Sequence, residues 1–382
     1  MHIAVIGGGA GGLYFARLVR RKLPEHRVTV FEQNSPDATF GFGVGLGGKA
    51  RERIRRIDPE VHESITANMV FSNKQRIQIN GVDTLLEYSE TGGAIGRLKL
   101  LQILQAACDD VGVEIRHETK IENPNQVTGY DLIVGADGVN STVRRWGGKT
   151  FGTSIYHLTN HFAWYGVERV MTPASLIFRA TAKGRFVGHY YPYSASMSTF
   201  VAECDAATWN SADLVDMSDD ERRAFMEEVF ALELTADRLL ENRSIWRNFP
   251  VIVNSRWSAG NVVLIGDALM SAHFSIGSGT RLAMDDASAL FEALLGKTTV
   301  ADALKHYEEV RRPMRESFGT AAKRSFAWYE DLSRIMSQAP IDFVYDFLTR
   351  TGRVDAKRLP EYCPGFYAQY MASRPAAARA TI

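Results

Sequence analysis

Three glycines near the start of the chain, Gly7, Gly9 and Gly12, stand in the spacing G-x-G-x-x-G within "HIAVIGGGAGGLYFARLV". Glu32 follows about 20 residues after the last of them, at the distance where an acid meets a ribose hydroxyl. Glycines so placed between a strand and a helix suit a dinucleotide. Gly7 permits the tight turn, Gly9 lets a pyrophosphate approach the backbone, and Gly12 lets the helix sit close on the strand. The unpaired N–H groups of the helix N-terminus then face the phosphate charge. On these residues alone, FAD and NAD both fit.

Two histidines and a tyrosine are candidates for chemistry on a substrate. His273 stands just before the loop "SIGSGT", and its ordinary pKa lies near working pH. That suits holding a substrate or taking a proton from a ring substituent; the other reading is a hydrogen-bonded supporting histidine. His189, followed by Tyr190 and Tyr191, and Tyr165, preceded by Trp164, belong to aromatic strands that either line a pocket or pack a core. Cys108, Cys204 and Cys363 lie far apart without C-x-x-C or histidine pairing, so no metal site, redox dithiol or disulfide framework is expected.

The elements that position these residues follow from periodicity. "HIAVI" and "HRVTVFEQN" (26–34) read as strands, with Leu13, Tyr14, Ala16, Leu18 and Val19 at helical spacing between them. In "GRLKLLQILQAACDDVG" (96–112), Leu98, Leu101, Leu104 and Cys108 form one helical stripe, Arg97 opens it and Gly112 stops it. "VEIRHETKI" (113–121) reads as a strand, and "YDLIVGADGVNSTVRRW" (130–146) as a buried strand, a turn and a helix. "FGFGVGLGG" (40–48) reads either as a flexible surface loop or as a mobile segment along a cofactor.

From about Gly152 the segments become aromatic, β-branched and punctuated by turns, as in an antiparallel sheet. A helical stretch (218–234) follows, and residues 261–296 return to strand, loop and helix, the helix running from about Thr280 to Gly296. The expected fold is α/β, α+β overall. A discontinuous Rossmann-like unit (1–150 and 255–330) receives an inserted antiparallel-sheet substrate unit (151–254), with C-terminal helices and a tail over 331–382. The Ala/Arg-rich tail from about Ser373 reads as dispensable.

The 382 residues exceed a single ordinary core. Lys plus Arg equals Asp plus Glu at 44 each with no basic block, which gives no support to a nucleic-acid or anionic-membrane partner and points to a small molecule. The first strand begins at residue 2, leaving no room for a signal peptide, and no apolar run approaches a membrane span, so a cytoplasmic protein is expected.

"DLIVGADGVNSTVR" (131–144), "NVVLIGDA" (261–268) and the G-x-G-x-x-G together resemble the fingerprints of the single-component flavoprotein aromatic hydroxylases, the para-hydroxybenzoate hydroxylase family. The likeness runs through "ALKHYEEVRRPMRESF" (303–318). "FGFGVG", "STFVAEC" and "AHFSIGSGT" look most like the salicylyl-CoA and anthraniloyl-CoA hydroxylases and the violacein-pathway hydroxylase. The resemblance implies FAD, with Asp267 at a ribityl hydroxyl, Arg97 and Asp137 near the cofactor, and Asp137 and Gly138 also bearing on the pyridine nucleotide. Gly277 and Gly279 precede a helix whose N-terminus would then face the flavin pyrimidine.

The same resemblance implies a reaction in which NADH or NADPH reduces FAD, O2 reacts with the reduced flavin, and an activated aromatic ring gains one oxygen. The ring would be hydroxy- or amino-substituted, held as a thioester of CoA or a carrier protein. The alternatives are a free aromatic acid, an indole pigment precursor, a flavin-dependent reductase or dehydrogenase, or a flavin-binding sensor. Leu269 and Met270 replace the family's common Ala-His, and Phe274 stands where proline is usual. Those departures bear on substrate geometry.

Overall fold

The computed structural model describes residues 1–375, and the tail beyond them lies outside it. Along the chain the strands are β1 (His2–Ile6), β2 (Arg27–Phe31), β3 (Gly43–Gly45), β4 (Val70–Ile79), β5 (Val82–Gly96), β6 (Glu114–Arg116), β7 (Leu132–Gly135), β8 (Thr153–Val167), β9 (Ala174–Thr181), β10 (Gly184–Pro192), β11 (Ser198–Cys204), β12 (Arg247–Asn254), β13 (Ser258–Ala259) and β14 (Val262–Leu264). They form two sheets.

The first, in the order β13-β14-β7-β1-β2-β6, is parallel except for its β13 edge. Its central strands are apolar throughout because helices cover both faces. The helix Ala10–Lys22 packs between the helices Arg97–Asp109 and Gly279–Gly296. The distant segment 261–296 thus completes the N-terminal layer, as its strand-loop-helix pattern implies.

The second sheet runs β12-β8-β11-β10-β9-β4-β5-β3 and corrects the expected boundaries. Two of its long strands, β4 and β5, come from the segment assigned to the N-terminal unit, and β4 joins β9 in parallel with Ile77 opposite Leu176. The hairpin turn is Asn80-Gly81, both with positive φ (52° and 76°), the sequence that a tight two-residue hairpin favours. The segment 40–48 is also more ordered than a loop. Gly43 N donates to Thr199 Oγ1 at 2.7 Å, and a Cβ at Gly43 would lie 2.7 Å from the Tyr193 ring, so glycine there serves close packing between segments.

The two faces of this sheet have different partners. On one, Tyr165, Phe186, Phe200 and Cys204 pack beneath the helices Ala206–Ser211 and Asp219–Val229. On the other, Ile77, Leu176, Phe178 and Val187 meet Trp328, at the end of the long helix Val300–Tyr329, and Phe343 on the helix Pro340–Thr349.

Candidate active site

The turns that follow β1, β2, β7 and β14 all open at the C-terminal edge of the parallel sheet, where open α/β sheets bind ligands. They carry Gly7–Gly12, Glu32, Asp137 and Asp267. Gly7 has φ +107°, and a Cβ at Gly12 would come 2.1 Å from Gly7 O. A Cβ at Gly9 would meet nothing within 4 Å. Gly9 caps its helix without a side-chain bond, so the first N–H groups of Ala10–Lys22 have no side-chain acceptor at the cap. Such a cradle fits a phosphate.

Glu32 Oε2 accepts from Gly8 N at 2.7 Å, and Oε1 accepts from Asn34 N at 2.9 Å, which fixes the carboxylate beside the glycine turn. Asp137 Oδ2 caps the helix Thr142–Trp146 through Thr142 N (2.6 Å) and Val143 N (3.1 Å). Its Oδ1 is buried without a partner, and desolvation raises its pKa against those bonds. Arg97 opens its helix beside a cleft of about 410 Å³ that Lys99, Tyr193 and Asn242 also line. Its guanidinium makes no hydrogen bond among the described residues; desolvation lowers its pKa and Asp267 raises it. Desolvation pushes Asp267 up, opposed by Arg315 and Arg97. Gly277 has φ +55°, and the helix Gly279–Gly296 begins without a side-chain cap, so its N-terminal donors are free as well. An orphaned carboxylate oxygen, an unpaired guanidinium and two uncapped helix N-termini along one edge fit the ribityl and phosphate groups of FAD.

Sequence reasoning missed the support of this edge. Asp286, 0% exposed, accepts from Gly266 N (3.0 Å) and Arg311 Nε (2.7 Å). Arg315, 2% exposed, donates to Gly266 O (3.0 Å) and Met270 O (2.7 Å), so two buried cations and an anion hold the turn bearing Asp267. Arg311 and Arg315 lie in the quoted 303–318 stretch, but their partner, Asp286, is marked by nothing local.

The three residues proposed for substrate chemistry separate. Tyr165 is 0% exposed, and its hydroxyl accepts from Trp246 Nε1 at 2.9 Å on the far face of the sheet; strand alternation turns it into the core, which corrects its placement at the site. Its neighbours face the other way. Phe162 and Trp164 lie 4.6 and 5.9 Å from the Phe274 ring in the loop ahead of Gly277. His189 shares that face, since Val201 lies opposite both His189 and Trp164. It is half-buried, with a pKa lowered to about 4 by desolvation and by Arg350.

His273 is 4% exposed, with its ring 4.6 Å from Phe249 and 4.3 Å from Phe274. Desolvation, then Arg350, lowers its pKa to about 3. Its Nδ1 accepts from Ser275 N at 3.2 Å and contacts Ser275 Oγ at 2.8 Å. A ring so buried and already bonded at Nδ1 matches the supporting-histidine reading more closely than the proton-accepting one. The Arg350 charge acts on both His189 and His273.

With this geometry in place, the FAD binding domain family matches residues 1–321. The chain belongs to that family. It is 35% identical over 366 residues to the salicyloyl-CoA 5-hydroxylase of a Streptomyces species, covering 92% of this chain and 70% of that one. It is 36% identical to the 3-hydroxy-4-methyl-anthranilyl-[aryl-carrier protein] 5-monooxygenase of Streptosporangium sibiricum, covering 94% and 97%. The protodeoxyviolaceinate monooxygenase of Chromobacterium violaceum is 32% identical over 92% and 94%. In fold, 2-methyl-3-hydroxypyridine-5-carboxylic acid oxygenase superposes with a TM-score of 0.72 at 19% identity over 94% of this chain and 95% of that one. The cofactor is FAD, as the fingerprints imply, and the choice between FAD and NAD at the glycine turn is decided. No helix among the described residues is long and apolar enough to cross a membrane.

Proposed function

We propose that this FAD-dependent monooxygenase hydroxylates an electron-rich, hydroxy- or amino-substituted aromatic ring delivered as a thioester of CoA or of a carrier protein. The observation that carries the reading is the aromatic wall of the second sheet, Phe162 and Trp164, set against Phe274 of the loop that leads into Gly277. Similarity to a CoA-thioester hydroxylase and to a carrier-protein monooxygenase supports the thioester, since both substrates share a phosphopantetheine arm.

Bound along this edge, FAD would supply the redox chemistry, hydride acceptance from NAD(P)H and activation of O2, that ring hydroxylation needs. The chain's own residues bind and shield. The Gly7–Gly12 turn and the uncapped helix hold phosphate charge, Glu32 and Asp267 accept from hydroxyls, and Arg97 offers a cation beside Asp267. Phe162, Trp164, Phe249 and Phe274 present an apolar enclosure that positions a planar ring and excludes water. His189 and His273 are neutral across the physiological range and act there as hydrogen-bonding groups. We place the reaction in the cytoplasm, in keeping with three free, buried cysteines.

The test is oxidation of NADH and NADPH by the FAD-loaded protein with salicyloyl-CoA, anthraniloyl-CoA, the corresponding carrier-protein thioesters, the free acids and indoles, followed by product mass under ¹⁸O₂. Label in a thioester product supports the proposal. Label only in free acids or indoles overturns the thioester, and NAD(P)H consumption with no labelled product from any of them overturns the hydroxylase.

A further inference from the structure

We propose that Arg350, on the C-terminal helical extension, is a positioning residue for the ring-binding site: through Ser325 and Ser275 it fixes His273 as a neutral imidazole that offers its Nε2–H. Assigning that N–H to a substrate site rests on the hydroxylase reading above; the hydrogen-bond chain itself does not.

The chain is continuous. Arg350 Nε donates to Ser325 Oγ at 3.1 Å, Ser325 Oγ lies 2.8 Å from Ser275 Oγ, and Ser275 Oγ lies 2.8 Å from His273 Nδ1. Its direction is set from the histidine end. At the arginine end a guanidinium can only donate, so Ser325 Oγ accepts from Arg350 and its own proton is left available to Ser275 Oγ. At the other end the backbone N–H of Ser275 donates to Nδ1 at 3.2 Å, and a backbone amide cannot accept. Nδ1 is therefore unprotonated, the proton of the neutral ring sits on Nε2, and Nε2 has no hydrogen-bond partner among the described residues.

A second bond makes the residue more than a relay end. Arg350 Nη2 donates to Ser275 O at 2.9 Å, and Nη1 donates to Phe347 O, while the guanidinium plane lies 4.1 Å from the Phe347 ring centroid. The fork thus ties the helix Pro340–Thr349 to the loop that leads into Gly277, gripping its backbone and its hydroxyl chain together. Phe249, Phe274 and Phe326 surround the His273 ring, and Arg350 is the charged group that acts on it. Arg350 forms no ion pair with a carboxylate among the described residues, so its charge is not cancelled locally.

The experiment is ¹⁵N NMR of histidine-labelled full-length holoenzyme, with the His273 signals assigned by a His273→Gln variant, alongside turnover. The expected wild-type spectrum is a neutral ring protonated at Nε2 and unchanged from about pH 5 to pH 8. Ser325→Ala cuts the relay while sparing the grip on Ser275 O and the Ser275 N–H bond to Nδ1, and should keep the Nε2–H tautomer but shift the Nδ1 resonance toward that of a more weakly bonded nitrogen. Ring hydroxylation should then fall ~10-fold in kcat, as for loss of other supporting hydrogen bonds, with KM for NAD(P)H unchanged. Arg350→Met should in addition let the ring titrate at higher pH, and Arg350→Lys, which keeps the charge but not the fork, should restore the titration and not the Nδ1 resonance. If Arg350→Met fails to fold, Ser325→Ala and Arg350→Lys carry the test. A wild-type ring protonated at Nδ1 or titrating near its ordinary pKa would overturn the assignment, as would variants whose spectra match the wild type. A wild type that hydroxylates nothing refutes the functional reading alone, because the imidazole spectrum is read without turnover.

Discussion

Replacing Asp286 by asparagine tests whether the buried ion cluster, rather than the glycine turn alone, makes the cofactor edge. Asparagine keeps the shape and one acceptor for Gly266 N but removes the anion from between two cations. Arg311 would keep Asp285, 3.7 Å away, and its bond to the Leu282 carbonyl, and Arg315 would keep its bonds to the carbonyls of Gly266 and Met270. Leaving buried cations uncompensated costs about 3–5 kcal/mol. At 1.4 kcal/mol per tenfold, that is a loss of ~10²–10⁴-fold in the folding equilibrium. Urea unfolding followed by tryptophan fluorescence measures it, with FAD titration of the refolded protein as a second readout. Arg312→Ala serves as control, since its pairs with Glu308 and Glu316 are partly exposed and worth ~0–1 kcal/mol. Adding Arg315→Met to Asp286→Asn should recover part of the loss, because the two residues are coupled. An Asp286→Asn protein within about 1 kcal/mol of wild type, with unaltered FAD affinity, would refute the reasoning.

Gly9→Ala should leave the urea midpoint nearly unchanged, since its Cβ meets no protein atom, yet weaken FAD binding; Gly12→Ala should damage both, with its Cβ 2.1 Å from Gly7 O. Equal effects in the two variants would contradict the open cradle. Glu203 is 3% exposed and accepts from Asn160 Nδ2 at 2.8 Å, and burial pushes its pKa to about 8. A raised carboxyl pKa means that the folded state binds the extra proton, so stability falls as pH rises from the unfolded pKa to about 8 and then levels. Glu203→Gln should remove that slope, gaining a few kcal/mol over wild type at pH 9 and little at pH 5, and parallel urea midpoints across that range would exclude it. Tyr165→Phe should cost about 1 kcal/mol through the lost Trp246 bond and leave substrate KM unaltered; a raised KM would return Tyr165 to the site.

The cofactor edge was legible because each of its parts is local: a strand, a turn with glycines at fixed offsets, and an acid at the end of the next strand. Gly7, Gly9, Gly12 and Glu32 lie together for that reason, whereas Asp137 and Asp267 are singled out by the family resemblance. The substrate side was less legible, because period-two alternation identifies two faces without saying which one is covered by what. Tyr165 and Trp164 are adjacent and aromatic, and only the helices Ala206–Ser211 and Asp219–Val229 decide that Tyr165 belongs to the core. Arg350, Ser325 and Asp286 act across long stretches of sequence, where no spacing rule reaches. The Asn80-Gly81 hairpin carries a local turn signal, but the strands around it are polar on both sides and lack the alternation of a half-buried sheet.

That hairpin has a consequence for recombination. Apart from its short edge strand β3, the second sheet is built from two separate excursions of the chain, 70–96 and 153–254, which pair through β4 and β9. A chimera that exchanges only the longer excursion between relatives would graft new walls onto the old β4 register, with Gln75 to Ile79 facing strangers in β9. Inheritance of substrate preference by shuffling therefore requires four junctions, and crossovers that move the two excursions together should yield folded hybrids where single-block exchanges do not.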